Sequence, residues 1–235
     1  MRLLCTSDWH LDRTTLGVPR FAELERAVMQ TVDEAIRNRA TYLFLGDLCD
    51  PDAGVNVFRC VELAMRAAMA LKQAGLKSIW LAGNHDVIED GSGQTTLTPM
   101  RAIEDKYIKL FERPGRTKDA GEPHIVALPF AATSHNYDPA AMAKELLGGN
   151  IDNIVIGHLN IEGVVPGEET NEMPRGRDIF FPVDVVAPKA RLMMNGHYHT
   201  RQVHRGIHIP GSLARLTFGE ETNHPGFLLV EVTDA

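Results

Sequence analysis

The sequence predicts an α/β fold built in layers, because short apolar runs alternate along its 235 residues with segments of helical periodicity. Six of the apolar runs have the length of buried strands, and three later runs are typical of hairpin strands. The predicted strands are Leu3–Thr6, Tyr42–Leu45, Ser78–Leu81, Ile125–Leu128, Asn153–Ile156, Arg191–Met194, Gln202–His204, Ile207–Ile209 and Phe227–Val232.

Four helices are predicted between these strands: Phe21–Asn38, Val55–Ala74, Leu97–Phe111 and Pro139–Leu147. The first has its apolar residues on one face, which is typical of a helix packed on a sheet. The second is apolar on most of its circumference. It therefore lies either between two layers of the core or in a contact between two copies of the chain.

Composition and charge limit the class of protein. Hydrophobic residues make up 44% of the chain, no apolar run has the length of a membrane span, and the N-terminus lacks the features of a signal peptide. We therefore expect one domain over residues 1–235, in the cytoplasm, with its three cysteines reduced. The net charge of −7 argues against extensive nucleic-acid binding, although two bound divalent cations would offset much of it.

Histidines and carboxylates follow the ends of five predicted strands, usually next to a glycine. Asp8 and His10 are two residues apart, as are His197 and His199, so in extended backbone each pair points the same way. Asp47 could bridge two cations, Asn84 offers an amide oxygen, and His85-Asp86 has the composition of an acid–base pair. The clusters are Asp8-Trp9-His10, Gly46-Asp47, Gly83-Asn84-His85-Asp86, Gly157-His158 and Gly196-His197-Tyr198-His199. Carboxylate and imidazole together favour a borderline divalent cation.

In order and spacing, the series from Asp8 to His199 resembles the calcineurin-like metallophosphoesterase superfamily. The resemblance implies two mixed β-sheets in a sandwich flanked by helices, and a site with two divalent metal ions. It implies one ion held by Asp8, His10, Asp47 and His199, and another held by Asp47, Asn84, His158 and His197. It also implies that His85 is a catalytic residue facing the scissile phosphate, with Asp86 as its orienting partner and Asp50 outside the ligand set.

Three short segments resemble SbcD-type DNA repair exonucleases. They are Thr6-Ser7-Asp8-Trp9-His10-Leu11 near the start, and Pro210-Gly211-Ser212-Leu213 followed by Phe218-Gly219-Glu220-Glu221 near the end. This resemblance implies DNA as the substrate, a homodimer formed through helices near the site, and an SbcC-type ATPase partner. No separate capping domain is expected, because the chain stops soon after its last predicted strand.

Arg13 and Arg201 directly follow predicted ligands, and we expect them to bind substrate phosphates. Trp9, between two predicted ligands, is expected to pack inward. Mn²⁺ is the first choice of metal, with Zn²⁺ or Fe as alternatives.

The sequence therefore predicts a metal-dependent phosphoric ester hydrolase, with a nuclease of SbcD type as the leading hypothesis. A small-molecule phosphodiesterase or phosphatase of the same fold uses the same ligands and stays open, since fold does not decide the substrate. A non-catalytic scaffold protein with a relict site is the third hypothesis. The complete ligand set and His85 argue against it.

Overall fold

Two β-sheets packed face to face form the centre of the structure, a computed structural model that describes residues 1–54, 56–117, 123–130, 139–148, 153–167, 181, 183–186 and 190–233. Strands are numbered in chain order. The first sheet has the order β13 (Leu228–Glu231), β1 (Arg2–Thr6), β4 (Thr41–Phe44), β5 (Ser78–Leu81) and β6 (Ile108–Phe111). All its neighbouring strands are parallel except β13, which pairs antiparallel with β1.

The second sheet is also mixed, as the sequence predicts. Its order is β11 (Gln202–His204), β12 (Ile207–Ile209), β10 (Leu192–Asn195), β9 (Ile154–Gly157), β8 (Ile125–Leu128) and β7 (Gly115–Arg116). The four central strands are parallel, and β11 and β7 pair antiparallel at the two edges. A small hairpin of β2 (Thr14–Thr15) and β3 (Val18–Pro19), which the sequence analysis does not predict, precedes the first helix.

Alternate residues of the strands build the core between the sheets. Leu3 and Cys5 of the first sheet pack with Ile154, Ile156 and Met194 of the second. Because side chains alternate between the faces of a strand, the intervening residues point to the outer faces, where helices cover them. The helices are α1 (Phe21–Asn38) and α2 (Asn56–Gln73) on the first sheet, and α3 (Pro139–Leu147) and the short α4 (Val183–Val186) on the second.

Most predicted elements are confirmed, with shifts of one residue at some ends. Helices α1 and α3 have the predicted bounds, and α2 covers Asn56–Gln73, one residue short of its predicted end, while its predicted first residue, Val55, lies outside the described residues. Helix α1 buries Leu24, Val28 and Val32 on one face and ends at Arg39, which adopts a left-handed conformation with φ of 50°. Within the described ranges, no helix combines the length and the apolar character needed to cross a membrane.

The helix predicted at Leu97–Phe111 is wrong. The chain forms a 3₁₀ helix over Thr98–Ile103 and then strand β6. The Asp105 carboxylate accepts hydrogen bonds from the backbone N–H groups of Tyr107 and Ile108, at 2.8 and 3.1 Å, and so stabilises a turn instead of a continuing helix. Pairing of the following residues with β5 extends the first sheet, and this tertiary contact outweighs the local helical periodicity.

The apolar residues of α2 divide between the core and the solvent. Met65 and Met69 are half-buried and pack against the core cluster on the first sheet. Phe58 has 77% of its surface exposed. The homodimer that the resemblance implies would form through helices near the site, but residues 97–111 supply no second long helix for such a contact. Phe58 is therefore the apolar residue of α2 that a contact with another chain would cover.

We expect Met65→Glu to lower the free energy of unfolding by about 2 kcal/mol or more, because it places a charge against the core. Phe58→Glu should leave that free energy nearly unchanged. Chemical denaturation followed by circular dichroism checks both. Light scattering of the same proteins tests the expected homodimer: a wild-type mass of twice 26.0 kDa that Phe58→Glu halves would support it, and a wild-type monomer at high concentration would contradict it.

Candidate metal centre

The predicted ligands meet at the edge of the sandwich where the parallel strands end. In the first sheet, Asp8 and His10 follow β1, Asp47 follows β4, and Asn84 follows β5. In the second sheet, His158 follows β9, and His197 and His199 follow β10. One ligand atom from each of Asp8, His10 and His199 lies within 4.8 Å of the other two, and Asp47, His158 and His197 form a second such group.

Asp47 lies between the two groups, and Asn84 belongs to the second. The Asp47 Oδ2 atom is 3.7 Å from His10 Nε2 and 3.2 Å from His158 Nε2. The Asn84 Oδ1 atom is 2.9 Å from His158 Nε2 and 3.0 Å from His197 Nδ1. The structure thus brings all seven predicted ligands together, with Asp47 in the position expected of a bridging carboxylate.

The backbone at the site is held in an uncommon conformation. Asp8, His10, Asp47 and His197 all have positive φ, between 41° and 76°. Non-glycine residues seldom adopt this region, and such strain concentrates at functional sites. The first two loops are tied together by hydrogen bonds from the backbone N–H of Asp8 to the Gly46 carbonyl, at 2.9 Å, and from that of His10 to the Asp47 carbonyl, at 3.1 Å.

Glycines next to the ligands allow the loops to approach closely. A Cβ on Gly83 would lie 2.6 Å from the backbone nitrogen of Asp47, and one on Gly196 would overlap the Ser7 hydroxyl and the Leu45 carbonyl. Gly196 follows a strand of the second sheet, whereas Ser7 and Leu45 follow strands of the first. The absence of a side chain there lets the ends of both sheets meet around one site.

Asp86 is not the partner of the His85 ring, contrary to expectation. It is fully buried, and its oxygens accept hydrogen bonds from the backbone N–H groups of Asp47, Leu48 and Gly83 and from the Thr96 hydroxyl, all between 2.6 and 2.9 Å. These donors surround the carboxylate inside the protein and turn it away from the ring. Asp86 therefore fastens the loop that carries Asp47 to the loop that carries Asn84.

Asp50 contacts the His85 ring instead. Its Oδ1 atom is 2.6 Å from His85 Nδ1, and both side chains are partly open to solvent. Burial opposes the charged ring, but the hydrogen bond to Asp50 and the charge of Asp47 raise the pKa of His85 to about 9. The sequence analysis placed Asp50 outside the ligand set and did not predict its contact with His85.

The candidate ligands differ in their ionisation when no cation is bound, and burial raises the pKa of Asp8. Burial opposes ionisation of Asp47, but its interactions with His158 and other imidazoles hold the pKa of Asp47 well below its usual range. Burial lowers the pKa of His10, and lowers that of His197 to about 3, so both rings are neutral and have a lone pair for a cation. The pKa of His158 is raised to about 9 by Asp47 and Asp8, although burial opposes this.

An unsatisfied buried atom supports the same interpretation. Asp8 Oδ2 has no hydrogen-bond partner among the residues that the structure describes. A bare buried carboxylate oxygen is costly, and a bound cation would remove that cost. Carboxylate oxygen, amide oxygen and imidazole nitrogen together suit divalent cations of intermediate hardness. The residues therefore fit a pair of divalent cations, with the two ligand sets that the sequence analysis lists.

Trp9 packs inward, as predicted. It is fully buried, its Nε1 donates to Thr6 Oγ1 at 3.0 Å, and its ring lies 4.5 Å from that of Phe44 and 5.7 Å from that of Trp80. These contacts fix the segment between Asp8 and His10 on the first sheet.

The two predicted substrate-binding arginines differ in their surroundings. Arg13 is half-buried, and its backbone N–H donates to the His10 carbonyl at 2.9 Å, so it lies close to the site. The Arg201 guanidinium donates to the carbonyl oxygens of Pro210 and Phe227, at 3.1 and 3.2 Å. These bonds use part of its donor capacity for holding the C-terminal segment.

The sequence analysis missed the contact of Glu220 with His199. The Glu220 Oε1 atom is 2.7 Å from His199 Nδ1, and the carboxylate is buried. Glu220 belongs to the Phe218-Gly219-Glu220-Glu221 segment of the resemblance, and the residue pattern holds no other signal for a contact across 21 residues.

A sandwich of two mixed sheets with this set of carboxylates, amide and imidazoles at one edge defines the class of dinuclear metal phosphoesterases. A comparison with protein families agrees with the geometry: the model for Calcineurin-like phosphoesterase matches residues 1–201. The chain belongs to the calcineurin-like phosphoesterase family, whose fold implies a dinuclear divalent-metal site.

Two curated relatives are a DNA repair protein and a subunit of a nuclease. The chain is 25% identical, over 86% of its length, to the DNA double-strand break repair protein Mre11 of Sulfurisphaera tokodaii. It is 24% identical, over 94% of its length, to a subunit of the nuclease SbcCD of Escherichia coli. The matches span 50% and 62% of those two relatives, so the chain corresponds to only part of each.

Among solved structures, a dimetal phosphatase from Danio rerio matches with a TM-score of 0.52 and 11% identity, over 89% of this chain and 86% of that one. At this identity the likeness concerns the fold alone.

Metal content tests the position of Asp47 between the two groups. We expect the wild-type protein to hold two divalent ions per chain and Asp47→Asn, which keeps the size of the side chain, to lose both. His10→Ala should lose one, and Asp33→Asn on the exposed side of α1 should keep both. Elemental analysis after dialysis against Mn²⁺ gives the counts. Two ions retained in Asp47→Asn would contradict the shared position.

Proposed function

We propose that the chain is a dinuclear-metal phosphodiesterase that cleaves DNA, a nuclease of SbcD type acting in DNA repair or recombination. The observation that carries the proposal is the position of His85. Its ring nitrogen lies within 4.8 Å of the ligand atoms of His10 and Asp47, and its side chain is 40% exposed. A phosphate at the open edge of the site would therefore meet the ligand groups and an imidazole together.

Each group has a role in hydrolysis of a phosphodiester. The seven side chains from Asp8 to His199 would hold the two cations, which supply Lewis-acid stabilisation of the phosphoryl oxygens and activate the attacking water. The Asp50 carboxylate accepts a hydrogen bond from His85 Nδ1 and so fixes the ring orientation. The opposite nitrogen, Nε2, then donates a hydrogen bond to the phosphate and a proton to the leaving alkoxide. His85 is the catalytic residue, Asp50 positions it, and Asp86 holds the loops.

His85→Gln should lower kcat on a generic aryl phosphodiester by about 10²- to 10⁴-fold, because it removes the proton donor. It should keep both metal ions, because the ring is outside the ligand sets. Asp50→Asn should lower kcat less, since the ring remains but its orientation is lost. Steady-state kinetics with parallel metal analysis checks both, with Asp33→Asn as the unaffected control. A His85→Gln protein that loses an ion would show that His85 is a ligand.

DNA is the proposed substrate because of the two curated relatives, whose names describe a DNA repair protein and a nuclease subunit. Arg13 is proposed to bind a flanking phosphate because its charge lies close enough to His10 to lower the pKa of that ring. Arg201 is proposed in the same role, with part of its guanidinium bonded to backbone carbonyls. The net charge of −7 favours the second candidate, a small-molecule phosphodiesterase or phosphatase, whose substrate needs fewer phosphate contacts.

Salt dependence and substrate choice separate the two candidates. If DNA is the substrate, cleavage should fall with added salt, with a shallow slope because the chain has 24 basic residues against 31 acidic ones. Single strands and ends should be cleaved faster than duplex interiors. Arg13→Gln should reduce the slope by about 1, and Arg26→Gln on the exposed side of α1 should not change it. Cleavage rates on labelled DNA, a cyclic nucleotide and an aryl phosphodiester give the comparison. Hydrolysis of the cyclic nucleotide without cleavage of DNA would establish the second candidate.

We extend the proposal to metal, partner and compartment. Mn²⁺ is the proposed metal, with Zn²⁺ or Fe as alternatives that the same ligand types accept. An SbcC-type ATPase is the proposed partner, since the Escherichia coli relative is named as a subunit of SbcCD. The cytoplasm is the proposed compartment. The three cysteines, all buried and free, are consistent with it.

A further inference from the structure

Glu220 lies behind His199 on the side away from the other ligands. Its carboxylate is only 1% exposed, and its Oε1 atom is 2.7 Å from His199 Nδ1. The other ring nitrogen, Nε2, is 3.2 Å from His10 Nε2 and 3.9 Å from Asp8 Oδ1. A carboxylate acceptor at Nδ1 fixes the proton there, so the Nε2 lone pair is directed to the first ligand group.

The carboxylate is itself immobilised. Its second oxygen, Oε2, accepts a hydrogen bond from the backbone N–H of Leu216 at 2.6 Å. The Leu216 carbonyl accepts in turn from the Thr15 hydroxyl at 2.9 Å, and Arg20 donates to the same hydroxyl at 3.0 Å. Glu220 is thus held in a chain of bonds that reaches the hairpin of β2 and β3, and it cannot move away from His199 without breaking that chain.

Among the residues that the structure describes, no such carboxylate lies behind either histidine of the second ligand group, and His197 Nε2 has no hydrogen-bond partner there. The Nδ1 atom of His158 is 2.6 Å from the Leu45 carbonyl oxygen, a neutral acceptor. A carboxylate makes an imidazole a stronger electron donor than a carbonyl does, because its negative charge stabilises positive charge on the ring. The two cation positions therefore differ in the charge behind a histidine ligand.

We propose that Glu220 is the positioning residue of His199 and that it selectively strengthens the cation position formed by Asp8, His10, Asp47 and His199. The proposal rests on the ligand sets given under the proposed function. Glu220 touches neither substrate nor cation, and it acts only through the ring of His199. Its removal should therefore weaken one cation position and leave the other unchanged.

Calorimetric titration of the metal-free protein with Mn²⁺ tests the proposal. Wild-type protein should bind two ions, and Glu220→Gln should weaken one of them by about 10- to 100-fold while the other stays within about twofold. The matched control is Glu221→Gln, the same change at the neighbouring exposed residue, which should bind as wild type. Glu220→Asp keeps the charge on a shorter side chain, and its effect should lie between those of wild type and Glu220→Gln.

Two measurements separate positioning from a merely structural role. In nitrogen NMR spectra of the metal-free protein, His199 should carry its proton on Nδ1 in the wild type and show mixed tautomers in Glu220→Gln. In a His199→Ala background, Glu220→Gln should cause no further loss of Mn²⁺ affinity, because its effect passes through the ring.

The outcomes are distinguishable from a failure of the proposed function. Wild-type protein that binds fewer than two ions, or hydrolyses no phosphodiester, would overturn the proposed function and this inference with it. If the wild type binds two ions and is active, but Glu220→Gln binds both as tightly, only this inference is overturned. Equal weakening of both positions, together with a lower melting temperature without metal, would show a structural role and overturn it as well.

If Glu220→Gln does not fold, the titration of Glu220→Asp decides: unchanged binding of both ions overturns the inference.

Discussion

The close approach of the two sheets at one edge is the constraint on which the rest of the site depends. Loops after β1, β4 and β5 must come within hydrogen-bonding distance of loops after β9 and β10, so no side chain fits where they touch. Gly83 and Gly196 meet this requirement, because a Cβ on either would collide with backbone or side-chain atoms of a neighbouring loop. Each of these glycines is therefore required for packing, and it affects the chemistry of the site only because it lets the ligands come together.

This approach brings a strained backbone and several charges into a buried region, and both need support. Positive φ at Asp8 and Asp47 is maintained by hydrogen bonds between their loops. Asp86 supplies much of that support, since its carboxylate binds backbone N–H groups of the Asp47 and Gly83 loops at once. Burial and the charge of Asp47 make ionisation of Asp86 unfavourable and raise its pKa to about 6. The hydrogen bonds to the carboxylate offset part of this cost. Asp86 thus holds the loops together, whereas Asp50 contacts the His85 ring.

The sequence predicted most of the sheets and the ligand set because both depend on local signals. Alternation of apolar residues and a glycine before a polar cluster occur within a few residues, and strands β1, β5 and β8 were placed within one residue for this reason. The segment Leu97–Phe111 was wrong because the Asp105 turn and pairing with β5 outweigh periodicity. The contacts of Asp50 and Glu220 join residues 35 and 21 positions apart, and no local pattern specifies which carboxylate reaches which ring. Long-range pairing of polar side chains is thus the part of the site that only the fold determines.

The positions of the acidic residues determine what the net charge implies about the substrate. Asp8, Asp47, Asp50, Asp86 and Glu220 all lie at or directly behind the site, and they account for a substantial part of the charge of −7. Two divalent cations would add four positive charges and so offset most of the five negative charges of these carboxylates, whatever the net charge of the whole molecule. Screening reduces the influence of distant surface charges to short range at physiological salt, whereas buried charges at the site are screened much less. The acidic composition of the chain is therefore compatible with an anionic substrate, because five of its carboxylates lie at or directly behind the site, where bound cations would offset their charge.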